Sequence, residues 1–445
     1  MGEEQNGQLN SGQVAVAAPV EFHSATPIAD TDRLSSLDVL RGVAVLGILA
    51  INIQQMGLPQ AAFSNPRVMG EMSLVGTIAW AGVVEFFLQK FLSIFAMLFG
   101  AGTVLLHTRI SGTGREFTPV YFRRMVVLLA IGMVHAYFIW WGDILVAYAI
   151  GGMIIYFMRN WSPRRLLVVG AIIFLLPTPA SAGLSALLGY VHGQAEAAQM
   201  KVDAGQTITP DEQNWINTWA QIAPSMQPSP EQVQKEIDAH RSGFGKLFAH
   251  RATLAIMYQT FIFIFFSMWK TIGLMLAGMA LMKLGVLSLA RSDALYGRMA
   301  LFGLGIGLPL DAFGISRLLE TDFAPGAQML SMGLVNYVAS LFTAMGYVGV
   351  IMLLCRSAVA VRLKARLAAV GRMALTNYLM HSVVFTTVFY GYGLGLFGQI
   401  PLVGLLGLMV LVWLVQLWVS PVWLAGFRFG PVEWLWRSLT YGVRL

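Results

Sequence analysis

The sequence predicts an all-α fold: a polytopic membrane helix bundle of about ten transmembrane helices, with the N and C termini cytoplasmic. Three observations carry that prediction. Of 445 residues, 57% are AVILMFWYC and only 11% are charged, against about 25% charged in a soluble domain. Apolar runs near the roughly 20 residues that a spanning helix needs recur from end to end. Finally, the basic residues fall on one side of the alternation those runs impose.

The elements follow in order. Residues 1–32 are polar, with no basic segment leading into an apolar core; they read as a disordered tail rather than a cleavable signal peptide. Apolar runs then cover about 39–57, 75–107, 125–141, 143–158, 166–190, 252–287, 299–312, 329–354, 374–391 and 401–424. The division is a tail (1–32), helices one to five (33–190), an extracytoplasmic soluble loop with short helices (191–251), and helices six to ten with a cytoplasmic tail (252–445). With ten crossings and the N terminus inside, 20 of the 29 Lys and Arg lie in inner segments, among them Arg33, Arg115, Arg356, Arg372 and Arg444. Short outer loops hold only Arg67 and Arg317. Splitting 252–287 into two crossings would place the 356–372 basic cluster outside, so that run counts once. In the 191–251 segment, Ser229-Pro230-Glu231-Gln232 has the form of a capping box and predicts a helix over 230–241.

Several function classes drop out. The net charge of +7 reflects positive-inside loops, not nucleic-acid binding. A single cysteine, Cys355, excludes a disulfide framework and a cysteine metal cluster. The seven histidines show no metal-ligand spacing, and no phosphate-loop lysine motif is present. Gly393-Leu394-Gly395-Leu396-Phe397-Gly398 matches a dinucleotide fingerprint by letter, but follows no strand. Gly303, Gly305 and Gly307 are expected to permit close helix packing.

Ionisable groups inside spanning helices cost several kcal/mol and are functional candidates by default. Asp38 and Arg41 lie three apart at the inner mouth of helix one and can pair there. Asn52 and Gln55 sit one turn apart near its outer end. Glu85 and Gln89 share a face at i, i+4, whereas Lys90 points elsewhere and pairs with another helix; together they suggest a polar cavity. Asn377 and His381 make a polar stripe, repeated one residue on by Tyr378 and Ser382.

The stretch from His135 to Asp143 is the most specific. Trp140-Trp141 marks a membrane interface, Gly142 turns the chain, and Asp143 opens the next helix, where a carboxylate suits the N-terminal dipole. His135 lies about 9 Å below that boundary at 1.5 Å per residue. Two readings stand side by side. In one, a neutral buried imidazole oriented by Asp143 serves as a general base. In the other, His135 bonds to a backbone carbonyl and Asp143 only caps its helix.

Leu37-Asp38-Val39-Leu40-Arg41-Gly42 through Ile48 with Asn52, the Phe95–Gly102 stretch, His135–Asp143 and Gly371–Ser382 resemble, in order, the motifs of the YeiB-like family of bacterial inner-membrane proteins (domain of unknown function 418). The resemblance covers about residues 33–440. In its first helix that family is similar to a wider membrane acyltransferase superfamily, which includes the heparan-alpha-glucosaminide N-acetyltransferase group and bacterial polysaccharide O-acyltransferases. The resemblance implies transfer of an acyl group from a cytosolic acyl-CoA, such as acetyl-CoA, to a hydroxyl or amine acceptor near the outer face. That acceptor would be a sugar, lipid or cell-envelope component, in the bacterial inner membrane, with no metal. The polysaccharide enzymes carry a catalytic His eleven positions after the Arg matched by Arg41; here that position is Asn52, and 57–74 contains no His. The base must therefore come from elsewhere, and His135 is the best placed.

On this reading Arg41, Arg123 and Arg124 attract the donor phosphates, and Glu85, Gln89, Lys90, Asn377 and His381 line a passage. His135 deprotonates the acceptor, Asp143 holds the imidazole, and Asn52 donates to the developing oxyanion. The competing expectation is a transporter of a small metabolite or lipid, using the same cavity with Glu85, His135 or His381 as proton-coupling groups.

Overall fold

The computed structural model describes residues 35–442 except 71 and 112–115. The polar tail, and Arg33, Arg115 and Arg444 of the basic count, lie outside the described residues. Among the described residues there is no strand.

The first half of the chain gives α1 (Ser35–Gly57), α2 (Leu74–Phe86), α3 (Lys90–Ser111), α4 (Phe117–Val134), α5 (Leu145–Ile155), α6 (Pro163–Leu175) and α7 (Thr178–Asp203). Then come α8 (Pro210–Met226), α9 (Pro230–Arg241), α10 (Phe244–Met257), α11 (Met268–Lys283) and α12 (Asp293–Glu320). The chain closes with α13 (Asn336–Arg356), α14 (Val361–Arg372), α15 (Ala374–Phe389), α16 (Leu402–Gly426) and α17 (Pro431–Tyr441).

Among the described residues, eight helical rods are long and apolar enough to cross a bilayer. The other two expected spans are shorter: Leu145–Met158 and the 16-residue α15. At 1.5 Å per residue, α15 is about 24 Å long. It continues almost directly from α14, with Met373 alone between them. The 252–287 run is one rod, as counted: α10 passes through a π-helical segment, Tyr258–Ser267, into α11 without a return. The 75–107 run breaks at 87–89, where Gln89 has φ +62°.

Small residues set the helix crossings. A Cβ on Gly100 would lie 1.9 Å from the Met275 carbonyl oxygen, and one on Gly278 would lie 1.9 Å from that of Met97, so α3 and α11 touch backbone to backbone. Gly303 and Gly307 face Gly346 and Thr343 on α13. Gly305 faces open space; two residues along a helix turn the side chain about 200°, away from the seam. Outward-facing Leu301, Phe302, Leu414 and Trp418 are more than 60% exposed, the surface that a bilayer covers.

The 191–251 segment is far more helical than a soluble loop. α7 runs on to Asp203, because residues 194–201 are strong helix formers without a breaker. α8 starts at a capping box between Thr209 and Glu212. α9 starts at the expected one: Gln232 N donates to Ser229 Oγ (3.3 Å) and Ser229 N donates to Gln232 Oε1 (2.8 Å).

Candidate functional site

α4 ends in a π-helical turn, His135–Ile139, a widening common at functional positions. It carries His135 inward, between Tyr378 (ring centroids 5.3 Å) and Trp140 (6.3 Å). His135 Nδ1 lies 2.6 Å from Asp143 Oδ2, and both side chains are 1% exposed. Asp143 Oδ1 accepts from Val146 N at 2.8 Å. One oxygen of Asp143 therefore holds the imidazole and the other accepts from the first turn of α5; the backbone-carbonyl partner expected for His135 in the alternative reading is replaced by Ser382.

The third member comes from the far end of the chain. Ser382 Oγ, fully buried on α15, lies 2.8 Å from His135 Nε2. An ionised carboxylate can only accept, so a neutral imidazole in this place carries its proton on Nδ1 and leaves Nε2 to accept from the serine hydroxyl. Asp143, His135 and Ser382 form a serine–histidine–carboxylate chain within the bundle. Ser382 is a residue that sequence reasoning left in a polar stripe; the partner 247 positions away gives no local signal.

Next to this chain is a cavity of about 270 Å³. Its walls come from α1, α3, α4, α5, the α14–α15 junction and α17. Arg41, Arg109, Arg124, Arg372 and Arg437 line it, against the carboxylates Asp38 and Glu433. Deeper, it is walled by Phe95, Leu98, Phe99, Leu128, Leu145, Tyr148 and Tyr378. Arg41 Nη1 pairs with Asp38 at 2.8 Å. Arg124 stacks over Trp436 at 3.7 Å. Glu433 accepts from the backbone N–H groups of Leu375 and Thr376 (2.7 and 3.0 Å), fixing the start of α15. Tyr378 is the partition: it faces the cavity, its ring lies tilted against that of His135, and its hydroxyl accepts from Ile144 N (3.3 Å).

The remaining sequence candidates fall elsewhere. Arg123 is exposed and does not line the cavity, whereas Arg109, Arg372 and Arg437, read only as positive-inside charges, do. Glu85, Gln89, Lys90, Asn377 and His381 are not on its wall. The shared face of Glu85 and Gln89 is a correction, since the break at 87–89 removes the helical register between them. Lys90 instead reaches α12, where Nζ lies 2.8 Å from Asp311 Oδ2, and also donates to Val84 O (2.7 Å). Lys270 Nζ donates to Gln89 Oε1 and to Ser340 Oγ, and Asn336 Nδ2 donates to Asp311 Oδ1 (2.7 Å). This is a second buried polar cluster. Asn377 Nδ2 donates to Val370 O and Ser420 Oγ (3.1 and 3.2 Å), and His381 Nε2 pairs with Gln416 Oε1 (2.9 Å). Both therefore join α15 to neighbouring helices, Ser420 and Gln416 lying on α16. Asn52 is 5% exposed and its Nδ2 has no hydrogen-bond partner among the described residues. It lies between Leu49 and Ile53, which share an apolar cluster with Ala136, Trp140 and Phe385. No group of three or more His, Cys, Asp or Glu side chains among the described residues could hold a metal ion.

Fold and site together define a multi-pass α-helical membrane protein with a polar triad sealed behind an arginine-lined cavity. Over 92% of its length the chain is 32% identical to uncharacterized protein YeiB of Escherichia coli (strain K12), covering 96% of that protein. It is 30% identical over 94% of its length to uncharacterized protein YxaH of Bacillus subtilis (strain 168), again covering 96%. A third relative, an uncharacterized 39.9 kDa protein in the amylase 3'region of Bacillus acidopullulyticus, is 25% identical over 93%. The family described as "Protein of unknown function (DUF418)" matches residues 281–443, which include Ser382 but not His135 or Asp143. The chain belongs to this YeiB family. No solved structure matches it.

Proposed function

We propose that the protein is an integral-membrane acyltransferase of the bacterial inner membrane. It takes an acyl group from a cytosolic acyl-CoA, such as acetyl-CoA, and delivers it to a hydroxyl or amine acceptor on a sugar, lipid or envelope component. One observation carries the reading: an arginine-lined, apolar-bottomed cavity ends on Tyr378, directly against the ring of His135. Guanidiniums hold phosphates through charge-assisted, often bidentate hydrogen bonds, which suits the diphosphate of coenzyme A at the mouth. The volume is at the small end for ligand sites and suits a slender pantetheine-like arm carrying the thioester inward. The positive-inside rule assigns this arginine-rich end to the cytoplasm, where the donor is made. His135, held by Asp143, supplies the base.

The test is binding of acetyl-CoA to the full chain in lipid nanodiscs, followed by transfer of a labelled acetyl group to candidate sugar acceptors. Arg41→Gln and Arg124→Gln should each weaken donor binding about tenfold, since one charge-assisted contact is worth about 1.5 kcal/mol. His135→Ala should abolish transfer. Full activity in His135→Ala would remove the residue from the chemistry, and no donor binding at all would refute the reading.

A second reading, proton-coupled transport, draws on the Lys90–Asp311 pair buried between α3 and α12. Substrate-driven proton flux into liposomes, abolished by Asp311→Asn and giving no covalent product, would favour it.

A further inference from the structure

Resting on the acyltransferase reading, we propose that Ser382 is the nucleophile, so that transfer proceeds through an acyl-serine ester inside the bundle. Both ring nitrogens of His135 are already engaged, Nδ1 by Asp143 and Nε2 by Ser382. An external acceptor cannot offer its proton to Nε2 without displacing the serine. The hydroxyl that the imidazole is arranged to deprotonate is therefore Ser382's own.

Position supports the same step. Ser382 lies one helical turn beyond Tyr378 on α15, so the cavity wall and the hydroxyl share one helix face. Rotation of the Tyr378 ring would admit a thioester to Oγ. Asn52 adds a buried amide donor without a partner, on a segment packed with the His135 turn. An unpaired buried donor is costly, and the cost is recovered when an oxyanion accepts from it.

In the first step Ser382 Oγ bonds to the thioester carbonyl carbon while its proton passes to His135 Nε2. The C–S bond breaks, the sulfur takes the proton from Nε2, and coenzyme A leaves as the thiol. In the second step the acceptor hydroxyl or amine gives its proton to Nε2 and bonds to the acyl carbon. The C–Oγ bond breaks and Oγ recovers the proton. Donor and acceptor thus need not occupy the site together, and can approach from opposite sides of the membrane.

The experiment incubates the full chain in nanodiscs with radiolabelled acetyl-CoA and no acceptor. The expected result is release of about one thiol per chain in a burst, with one acetyl group mapped to the Ser382 peptide by mass spectrometry. The bond should resist neutral hydroxylamine, as an oxygen ester does. Ser382→Ala should lose both burst and label, and Ser382→Cys should restore the label as a thioester that neutral hydroxylamine cleaves. That rescue separates a nucleophile from a residue that only supports the fold. Wild-type protein that transfers acetyl without ever carrying it, or Ser382→Ala that transfers normally, would overturn the serine step and leave the acyltransferase reading standing. Wild-type protein that neither binds acetyl-CoA nor releases thiol would overturn both.

Discussion

Asp143→Asn tests the polarity of the triad directly. In the native protein Asp143 Oδ2 lies 2.6 Å from His135 Nδ1, and Oδ1 accepts from Val146 N at 2.8 Å. Asparagine keeps one acceptor oxygen. The buried Val146 N–H in the first turn of α5 holds that oxygen, which turns the amide NH₂ towards Nδ1 as a donor. Nδ1 must then accept, the imidazole proton moves to Nε2, and Nε2 points a hydrogen at Ser382 instead of a lone pair. An imidazole in that tautomer cannot take the serine proton. In serine–histidine–aspartate sites this loss is about 10⁴-fold in kcat, equivalent to about 5.5 kcal/mol. Exchanging a charge-assisted for a neutral hydrogen bond costs stability only about 1–2 kcal/mol, so the fold should survive.

The assay is ¹⁵N NMR of histidine-labelled protein in micelles, with the His135 signals assigned by their loss in His135→Gln. The native protein should show Nδ1 protonated, and the variant Nε2 protonated, with a burst of coenzyme A release slowed about 10⁴-fold. A native His135 already protonated at Nε2, or a tautomer unchanged by the substitution, would refute the reasoning.

Three further outcomes follow from particular contacts. Asp311→Asn leaves Lys90 buried without its counter-charge and should cost about 3–5 kcal/mol, whereas the Lys90→Met, Asp311→Leu double variant should recover most of that; chemical unfolding in detergent closes the cycle. Gly278→Ala forces a Cβ to 1.9 Å from the Met97 carbonyl and should cost at least the ~1–3 kcal/mol of ordinary overpacking, while Gly305→Ala, facing open space, should leave the melting temperature unchanged or slightly raised. In α9, burial pushes the His240 imidazole down to about 3; its ring stacks on Phe397 at 4.0 Å and Nδ1 donates to Glu236 O. The unfolded chain therefore binds the extra proton below about pH 6.5, so His240 favours folding above that pH and loses about 2 kcal/mol of its contribution by pH 5. Burial raises the Glu236 carboxyl, which acts in the opposite direction, so the comparison is with His240→Phe. Melts of that variant should be flatter between pH 6.5 and 5, and an equal pH slope in both proteins would contradict the assignment.

What was legible in the residues divides along a physical line. Runs of apolar residues fixed the helices because a bilayer forces every backbone group to pair within its own segment. The capping box at Ser229 and Gln232 is likewise a contact between near neighbours, and is found where the letters place it. His135 and Asp143 were within reach of sequence reasoning because they lie only eight positions apart, across one turn. The helix break at 87–89 was not legible, since Gln89 carries no signal for a positive φ.

The amino-acid order by itself settled that this chain is a membrane-spanning helical bundle, because burial in lipid is a property of each segment. It could not say which helix faces which. Ser382 meeting His135, the five arginines converging on one cavity and Lys90 meeting Asp311 are pairings between distant segments. Close backbone approaches at Gly100, Gly278 and Gly303 are likewise set by which helices meet. Only the packed tertiary structure decides them, because side-chain complementarity across helices is a property of pairs, and no single stretch contains it.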